Sequence, residues 1–266
     1  MIAMEELTIG IGGRTLVREI DANIKSGEFV AILGSNGVGK TTLLRTICGL
    51  QPAISGHVRI DGSSIASLSA LERAKRVALV TSDELLTDAL TVREVVAIGR
   101  FAHHRWWQWN ERPDDELAVQ QALESVRMEP YANRLISTLS SGERQRVWIA
   151  MGVAQSTSVL VLDEPTSHLD VHVAHTILSL LRDLARKGKT VLCVLHDLND
   201  AAAYADRIML LGCEEMLAFG SPGEVLQPQL VERAYGIAME TIATPHGIRI
   251  FPVTNDFSRQ SFSSDG

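Results

Sequence analysis

The sequence predicts an α/β fold whose central sheet is mostly parallel and buried. Short apolar runs alternate with longer stretches of helical periodicity, a pattern typical of such sheets. Three runs carry the prediction, at 29–33, 159–162 and 191–195. Each ends in a polar or glycine-rich turn, and ligands of open α/β sheets bind beyond the carboxyl ends of the strands. We therefore expect the functional residues in these three turns.

Helices are predicted between the apolar runs. Residues 40–48 are helical in character and are followed by Gly49, which favours a helix end. A second helix follows Asp170, where four apolar residues fall at the i, i+3, i+4, i+7 spacing of one face. They are Ile177, Leu180, Leu181 and Leu184. Residues from about 91 to 156 carry few strand patterns, which predicts a helical subdomain inserted into the core. Residues 255–266 are polar and are predicted to form a disordered tail.

Composition and charge narrow the function classes. The chain has 266 residues, and 45% of them are hydrophobic, as expected for a globular protein with a sizeable core. The net charge is −7 and no dense Lys/Arg block occurs, which argues against nucleic acid as a partner. Three widely separated cysteines favour a reducing cytosol. The sequence lacks a signal-peptide pattern and an apolar run near the roughly 20 residues that span a bilayer, so any membrane role is expected to be peripheral.

The turn after the first run fits the phosphate-binding pattern G-x-x-x-x-G-K-[ST]. It comprises Gly34, Ser35, Asn36, Gly37, Val38, Gly39, Lys40 and Thr41. The glycines allow backbone N–H groups to turn inward around phosphates, and the N-terminus of the next helix adds a positive dipole. Lys40 is predicted to reach the β- and γ-phosphates of a nucleotide, and the Thr41 hydroxyl is predicted to bind Mg²⁺.

Two carboxylates follow the second apolar run. Asp163 comes directly after the run and is predicted to be a second anchor for Mg²⁺. The adjacent Glu164 can polarise an attacking water. A pair of exposed turn carboxylates is the alternative, but a position behind a buried strand and downstream of Lys40 favours the metal site.

A short polar segment, 139–143, precedes another predicted helix. Ser140 and Ser141 are good N-cap residues, and Gly142 follows them. A helix N-terminus with free N–H groups suits an anion. Alone, this segment would be interpreted as an ordinary helix cap.

Five motifs occur in a fixed order, at 34–41, 139–143, 162–165, 167–170 and His196. In this order they resemble the Walker A, signature, Walker B, D-loop and H-loop motifs of ABC ATPases, over nearly the whole chain. The resemblance implies a P-loop NTPase core of the ABC type with the inserted helical subdomain and an N-terminal antiparallel β subdomain. It also implies that residues 1–254 form one nucleotide-binding domain.

The resemblance implies that two copies of the chain act together. In this family two nucleotide-binding domains dock head to tail and enclose two ATP molecules. Residues 34–41 and Thr42 of one copy would bind each ATP together with Ser140 and Gly142 of the other. ATP would hold the dimer closed, and hydrolysis would release it.

Roles for single residues follow from the same resemblance. Glu164 is expected to be the general base or to position water, with His196 at the γ-phosphate and Asp170 communicating across the dimer. Lys40 completes the catalytic group, and ATP and Mg²⁺ are the expected cofactors. Such a site suits phosphoryl transfer, in which positioning and charge stabilisation supply most of the catalysis.

Three segments, 91–100, 144–155 and 194–211, are similar to ATPases of importers for iron–siderophore, haem and cobalamin complexes. This implies integral membrane permease subunits as partners, a periplasmic or extracellular substrate-binding protein acting indirectly, and a peripheral place at the cytoplasmic side of the inner membrane. The alternatives are an ABC exporter subunit and a soluble ABC ATPase acting on ribosomes or DNA. A single domain without a coiled-coil insertion argues against the soluble class.

Some positions depart from the family pattern. Ile11 lies where many relatives carry an aromatic ring, and it would lose a stacking contribution of about 1–3 kcal/mol with adenine. The signature keeps Ser140 and Gly142 although it differs from LSGGQ. Ser82 occupies the place of the Q-loop glutamine, and its side chain is too short to reach the metal directly. Either a water fills the gap between Ser82 and the metal, or the loop shifts so that Asp83 contacts the water shell of the metal, and we favour Asp83.

A tryptophan cluster lies in the predicted helical subdomain. It consists of Trp106, Trp107 and Trp109. Three tryptophans within four residues cannot all face one side of a helix. The cluster is interpreted either as a loop folded over the subdomain or as a contact surface for a partner chain, since tryptophan is enriched at interface hot spots.

Overall fold

The computed structural model describes residues 1–81, 89–103, 113–245 and 247–253. The strands are β1 (Ile2–Ile11), β2 (Arg14–Ile24), β3 (Phe29–Leu33), β4 (Ser55–Ile60), β5 (Ser63–Ser64), β6 (Val77–Val80), β7 (Val159–Leu162), β8 (Thr190–Val194), β9 (Arg207–Gly212), β10 (Glu214–Gly220), β11 (Met239–Thr244) and β12 (Gly247–Pro252). The helices are α1 (Lys40–Ile47), α2 (Ala70–Ala74), α3 (Val92–Ile98), α4 (Pro113–Ser125), α5 (Ser141–Ala154), α6 (Val171–Arg186), α7 (Leu198–Tyr204), α8 (Pro222–Val225) and α9 (Pro228–Tyr235).

The described residues form a ten-stranded sheet in the order β5-β4-β1-β2-β10-β9-β3-β8-β7-β6, and a separate hairpin of β11 and β12. Strands β9, β3, β8, β7 and β6 lie side by side and are parallel. Strand β8 lies between β3 and β7, so the turns after the three apolar runs meet at one edge of the sheet. The α/β prediction is confirmed, with the third strand beginning one residue earlier than its apolar run.

The central strands are apolar throughout because both faces of the sheet are covered. On β3, Phe29, Ala31 and Leu33 face a core that includes residues of α6. Val30 and Ile32 face a second core that includes residues of α1 and of the first strands. The strand that leads into the phosphate loop is therefore fixed from both sides.

Helices α3, α4 and α5 pack together within the segment predicted to be a helical subdomain. Helix α5 buries Val147, Ala150 and Ala154. Trp148 and Ile149 are also buried, because α5 contacts both the other two helices and the sheet. At the other end of the fold, β1, β2, β4 and β5 pair antiparallel.

Several predicted features lie outside the described residues. They are Ser82, Asp83, the cluster Trp106, Trp107 and Trp109, and the tail 255–266. Within the described part of the chain, no helix combines the length and apolarity that crossing a membrane requires.

Candidate functional site

The phosphate loop joins β3 to α1 through backbone conformations that glycine adopts easily. Gly34 has φ +149°, and a Cβ there would lie 2.7 Å from the carbonyl oxygen of Leu211. Gly39 is the N-cap of α1 with φ 114°. Side chains would be strained or excluded at these positions, so glycine lets the loop turn directly into the N-terminus of α1, where an anion binds well.

Lys40 is buried inside this loop. Its Nζ donates hydrogen bonds to the carbonyl oxygens of Gly34, at 2.8 Å, and Ser35, at 3.1 Å. Burial lowers the pKa of Lys40, and the negative charges of Glu164 and Asp163 oppose that shift. The ammonium group therefore lies within the loop, held by two backbone carbonyl oxygens and close to the two carboxylates, and its positive charge favours an anionic ligand there.

Asp163 follows β7 and contacts the first turn of α1. One carboxylate oxygen accepts a hydrogen bond from the Thr41 hydroxyl, and burial, followed by the charge of Glu164, raises the pKa of Asp163 despite that bond. Its Oδ1 is buried and has no hydrogen-bond partner among the described residues. A buried carboxylate oxygen without a donor beside a threonine hydroxyl fits the oxygen ligands that Mg²⁺ prefers.

Glu164 contacts His196, the residue of the H-loop motif. Its Oε1 lies 2.8 Å from His196 Nε2, and its Oε2 accepts a hydrogen bond from Ser167 Oγ at 3.3 Å. Burial acts to raise the pKa of Glu164, but the contacts with His196 and Ser167 and the charge of Lys40 outweigh it and leave the pKa lowered. Glu164 also has φ 53°, a left-handed conformation that is rare outside glycine and typical of functional sites.

An open cavity of about 920 Å³ lies over these groups. It is lined by Ile11, Arg14, Leu16, Asn36, Gly37, Gly39, Lys40, Thr41, Thr42, Glu164, Ser167, His168 and His196. Ile11 is 58% exposed at its rim. One wall of the cavity comes from the β1–β2 hairpin and is apolar and cationic. Another side is formed by the phosphate loop and the Glu164 carboxylate, an arrangement suited to a nucleotide.

The segment 139–143 forms the start of α5, away from this cavity. Ser140 is the N-cap and makes a reciprocal capping box with Glu143. Gly142 packs directly on Val173 in the first turn of α6, and the Val173 N–H donates to Asp170 Oδ1 at 2.9 Å. The start of α5 thus contacts Val173 in the first turn of α6, and Asp170 caps that turn.

Comparison with known proteins places this chain in a family. The profile of the ABC transporter family matches residues 17–167. The chain is 40% identical over 246 residues to the ferric enterobactin transport ATP-binding protein FepC of Escherichia coli (strain K12), covering 91% of this chain and 89% of that protein. It is 39% identical over 240 residues to the hemin import ATP-binding protein HmuV of Streptomyces coelicolor, covering 90% and 84%. The chain belongs to the ABC transporter family.

Solved structures agree with this assignment. An inward-facing metal-chelate type ABC transporter matches with a TM-score of 0.83 and 25% identity, covering 96% of this chain and 98% of that one. A dimeric ATP-binding cassette in a post-hydrolysis state, bound to ADP and Pi, matches with a TM-score of 0.70 and 29% identity, covering 84% and 99%. As an ABC ATPase, this chain binds and hydrolyses ATP.

The ABC fold brings most of the predicted residues into one cavity. Among them Asn36, Gly37, Gly39, Lys40, Thr41, Thr42, Glu164 and His196 line it. Others support it from the same loops: Gly34, Ser35, Val38 and Asp163. The signature residues Ser140 and Gly142, and Asp170 of the D-loop, do not line the cavity formed by the described residues.

Four residues that line the cavity of this ABC ATPase had no role in the predicted site: Ser167 and His168, which lie within the 167–170 motif, and Arg14 and Leu16, which lie outside every motif. Arg14 and Leu16 reach the cavity because the β1–β2 hairpin folds back over the phosphate loop. Leu16 Cβ would lie 3.1 Å from a Cβ at Gly39, which shows how closely the hairpin covers the loop. No local pattern in the sequence indicates that approach, since it depends on strand pairing far from the motif.

The contact between the signature glycine and Val173 leads to a prediction. In Gly142→Ala the new methyl group would collide with the Val173 side chain, and we expect ATPase activity to fall about tenfold, or about 1.4 kcal/mol of barrier. The double variant Gly142→Ala/Val173→Ala should recover most of the activity. In the double variant the new Cβ of residue 142 would lie 3.4 Å from the Cβ of residue 173, which is an ordinary contact. Steady-state ATPase assays on both variants and on Val173→Ala test this, and an unrescued double variant would rule out the steric cause.

Proposed function

We propose that this chain is the ATP-hydrolysing subunit of an importer for an iron chelate, either a ferric siderophore or haem. The observation that carries the proposal is the 40% identity to a ferric enterobactin transport ATPase across 91% of the chain. Relatives for hemin and for other siderophores show similar identities over similar lengths. The group shares iron chelates as cargo, which supports import over export.

The proposed working form is a head-to-tail dimer of two copies, each with residues 1–254 as its nucleotide-binding domain. Neither Ser140 nor Gly142 lines the cavity of its own chain; Ser140 is exposed at the start of α5 and available to complete the cavity of the second copy, and Gly142 lies buried beside it on Val173. The dimeric cassette bound to ADP and Pi supports this arrangement. Asp170, at the start of α6, would communicate between the two sites through its contact with Val173.

Within each site, Thr41 and Asp163 would hold Mg²⁺, which supplies charge neutralisation for the phosphates. The unpartnered Asp163 Oδ1 supports this assignment. Lys40 would bind the β- and γ-phosphates. Glu164 would accept a proton from the attacking water as the water oxygen bonds to the γ-phosphorus. The bond from the γ-phosphorus to the β–γ bridging oxygen would break at the same centre, so that ADP and phosphate leave, while His196 orients Glu164 and contacts the γ-phosphate.

The proposed partners are integral membrane permease subunits, which recruit the chain to the cytoplasmic side of the inner membrane. A substrate-binding protein outside the membrane would act through the permease. The permease and binding protein would recognise the cargo, and closure of the ATP-bound dimer would drive the permease between conformations.

Replacement of Lys40 tests the ATP-dependent part of this proposal. Lys40→Ala should weaken ATP binding about 10- to 100-fold, because hydrogen bonds to a charged partner contribute about 1.5–3 kcal/mol. Titration with a fluorescent ATP analogue measures the loss. Lys25→Ala, an exposed lysine in the turn before β3, is the matched control and should bind normally.

The same variant tests the cargo in cells. In the source organism lacking this gene, the wild-type chain should restore uptake of radioactive iron supplied as ferric siderophore or as hemin, and Lys40→Ala should not. Uptake of both chelates that is unaffected by loss of the gene would contradict the proposed cargo while leaving the ATPase assignment intact.

A further inference from the structure

The phosphate loop is held from behind by a residue far along the chain. The Gly34 N–H donates a hydrogen bond to the Tyr235 hydroxyl at 3.0 Å, across 201 residues of sequence. Tyr235 lies at the end of α9, beyond the 17–167 span that the family profile matches. It therefore contacts the first residue of the loop without belonging to any nucleotide-binding motif.

Several contacts fix Tyr235 in place. Val231 and Ala234 bury one face of α9, and Gly236 ends the helix with φ 72°. The Arg233–Glu215 ion pair, at 2.9 Å, joins α9 to β10. Burial raises the pKa of Tyr235 to about 12, although the bond from Gly34 works in the other direction. The hydroxyl is therefore neutral at physiological pH and available as an acceptor.

Gly34 has both of its backbone polar groups engaged. Its N–H bonds Tyr235, and its carbonyl oxygen accepts a hydrogen bond from Lys40 Nζ at 2.8 Å. Its backbone lies against Leu211 so closely that a Cβ could not be accommodated. Rotation of Gly34 would break both hydrogen bonds, so the tyrosine hydroxyl fixes the residue to which Lys40 is anchored.

We propose that Tyr235 is a positioning residue for nucleotide binding. It acts through Gly34 on the loop N–H groups and on Lys40, and it sets the affinity of the chain for nucleotide phosphates before any dimer forms. The affinity for ADP and the affinity for ATP should depend equally on Tyr235, because both nucleotides place phosphates in the loop. The proposal rests on nucleotide binding at the phosphate loop and is independent of the transported cargo.

Tyr235→Phe tests this because it keeps the packed ring and removes only the hydroxyl acceptor. We expect the Kd for ADP, the Kd for ATP and the KM for ATP to rise about five- to tenfold, from the loss of one partly buried hydrogen bond. The kcat should stay within about twofold of wild type, since no group that touches the reacting atoms is removed. Calorimetric titration with each nucleotide and steady-state ATPase assays give these values.

Tyr204→Phe is the matched control. The Tyr204 hydroxyl lies 3.0 Å from His175 Nδ1 in a more exposed place, so Tyr204→Phe also removes a hydrogen bond, at a residue that does not line the nucleotide cavity. This variant should leave both Kd values unchanged even where its Tm shifts as much as that of Tyr235→Phe. Unchanged ADP and ATP affinity in a folded Tyr235→Phe, a fall in kcat alone, or an equal loss of affinity in Tyr204→Phe would each overturn the proposal. None of these results would alter the expected uptake phenotype of Lys40→Ala.

Discussion

Glu164→Gln is expected to stop ATP turnover and leave ATP binding intact. Glutamine keeps the size of the side chain and can still contact His196 and Ser167, but its amide cannot accept a proton from the attacking water. General-base catalysis typically contributes 10²–10⁴-fold, so we expect kcat to fall at least about 100-fold. The lowered pKa of Glu164 keeps the wild-type carboxylate ionised near neutral pH, so the loss should persist across that range.

The variant should also accumulate as a dimer in Mg-ATP. Binding without hydrolysis removes the step that separates the two copies, and size-exclusion chromatography with multi-angle scattering should show twice the monomer mass with Mg-ATP and not with Mg-ADP. Glu5→Gln, an exposed glutamate of β1, is the control and should turn over normally. Hydrolysis by Glu164→Gln at the wild-type rate would remove Glu164 from the catalytic role, and a monomeric ATP-bound variant would contradict the sandwich dimer.

The functional residues at the ends of the parallel strands were predictable from the sequence, because each motif directly follows the apolar run that forms its strand. The 34–41 loop, Asp163 and His196 each follow an apolar run, and the general geometry of parallel sheets places such ends at one edge. The structure adds the order of the strands, with β8 between β3 and β7, which brings Glu164 and His196 within 2.8 Å. The sequence contains both residues, but the pairing follows from the sheet order.

Contacts between distant segments were not predictable in the same way. The hydrogen bond from Gly34 to Tyr235 and the packing of Gly142 on Val173 depend on how α9 and α6 lie against the motifs. Helix periodicity identifies an apolar face but not its partner, so Val173 carried no functional interpretation. The left-handed conformation of Glu164 is likewise imposed by its surroundings, since glutamate has no intrinsic preference for it.

The helical subdomain contains a buried ion pair that should dominate its stability. Arg100 Nε lies 2.8 Å from Asp115 Oδ1, and each side chain is only 10% exposed. The guanidinium also donates to the Ala154 carbonyl oxygen at 2.8 Å and to Ser156 Oγ at 2.9 Å. Arg100 thus joins the end of α3, the start of α4 and the end of α5, the helix that begins with the signature residues.

Arg100→Met is expected to reduce the free energy of unfolding by about 3–5 kcal/mol, because it removes the guanidinium that lies 2.8 Å from the buried Asp115 carboxylate. Urea unfolding followed by circular dichroism measures the change. Arg93→Met is the matched control from the same subdomain. Arg93 is 38% exposed and lies 3.9 Å from Glu116, so its loss should cost less than about 1 kcal/mol.

Adding Asp115→Asn to Arg100→Met should restore part of the stability by removing the buried charge. Equal losses for Arg100→Met and Arg93→Met, or no gain from Asp115→Asn, would mean that packing rather than the charge pair holds these helices together.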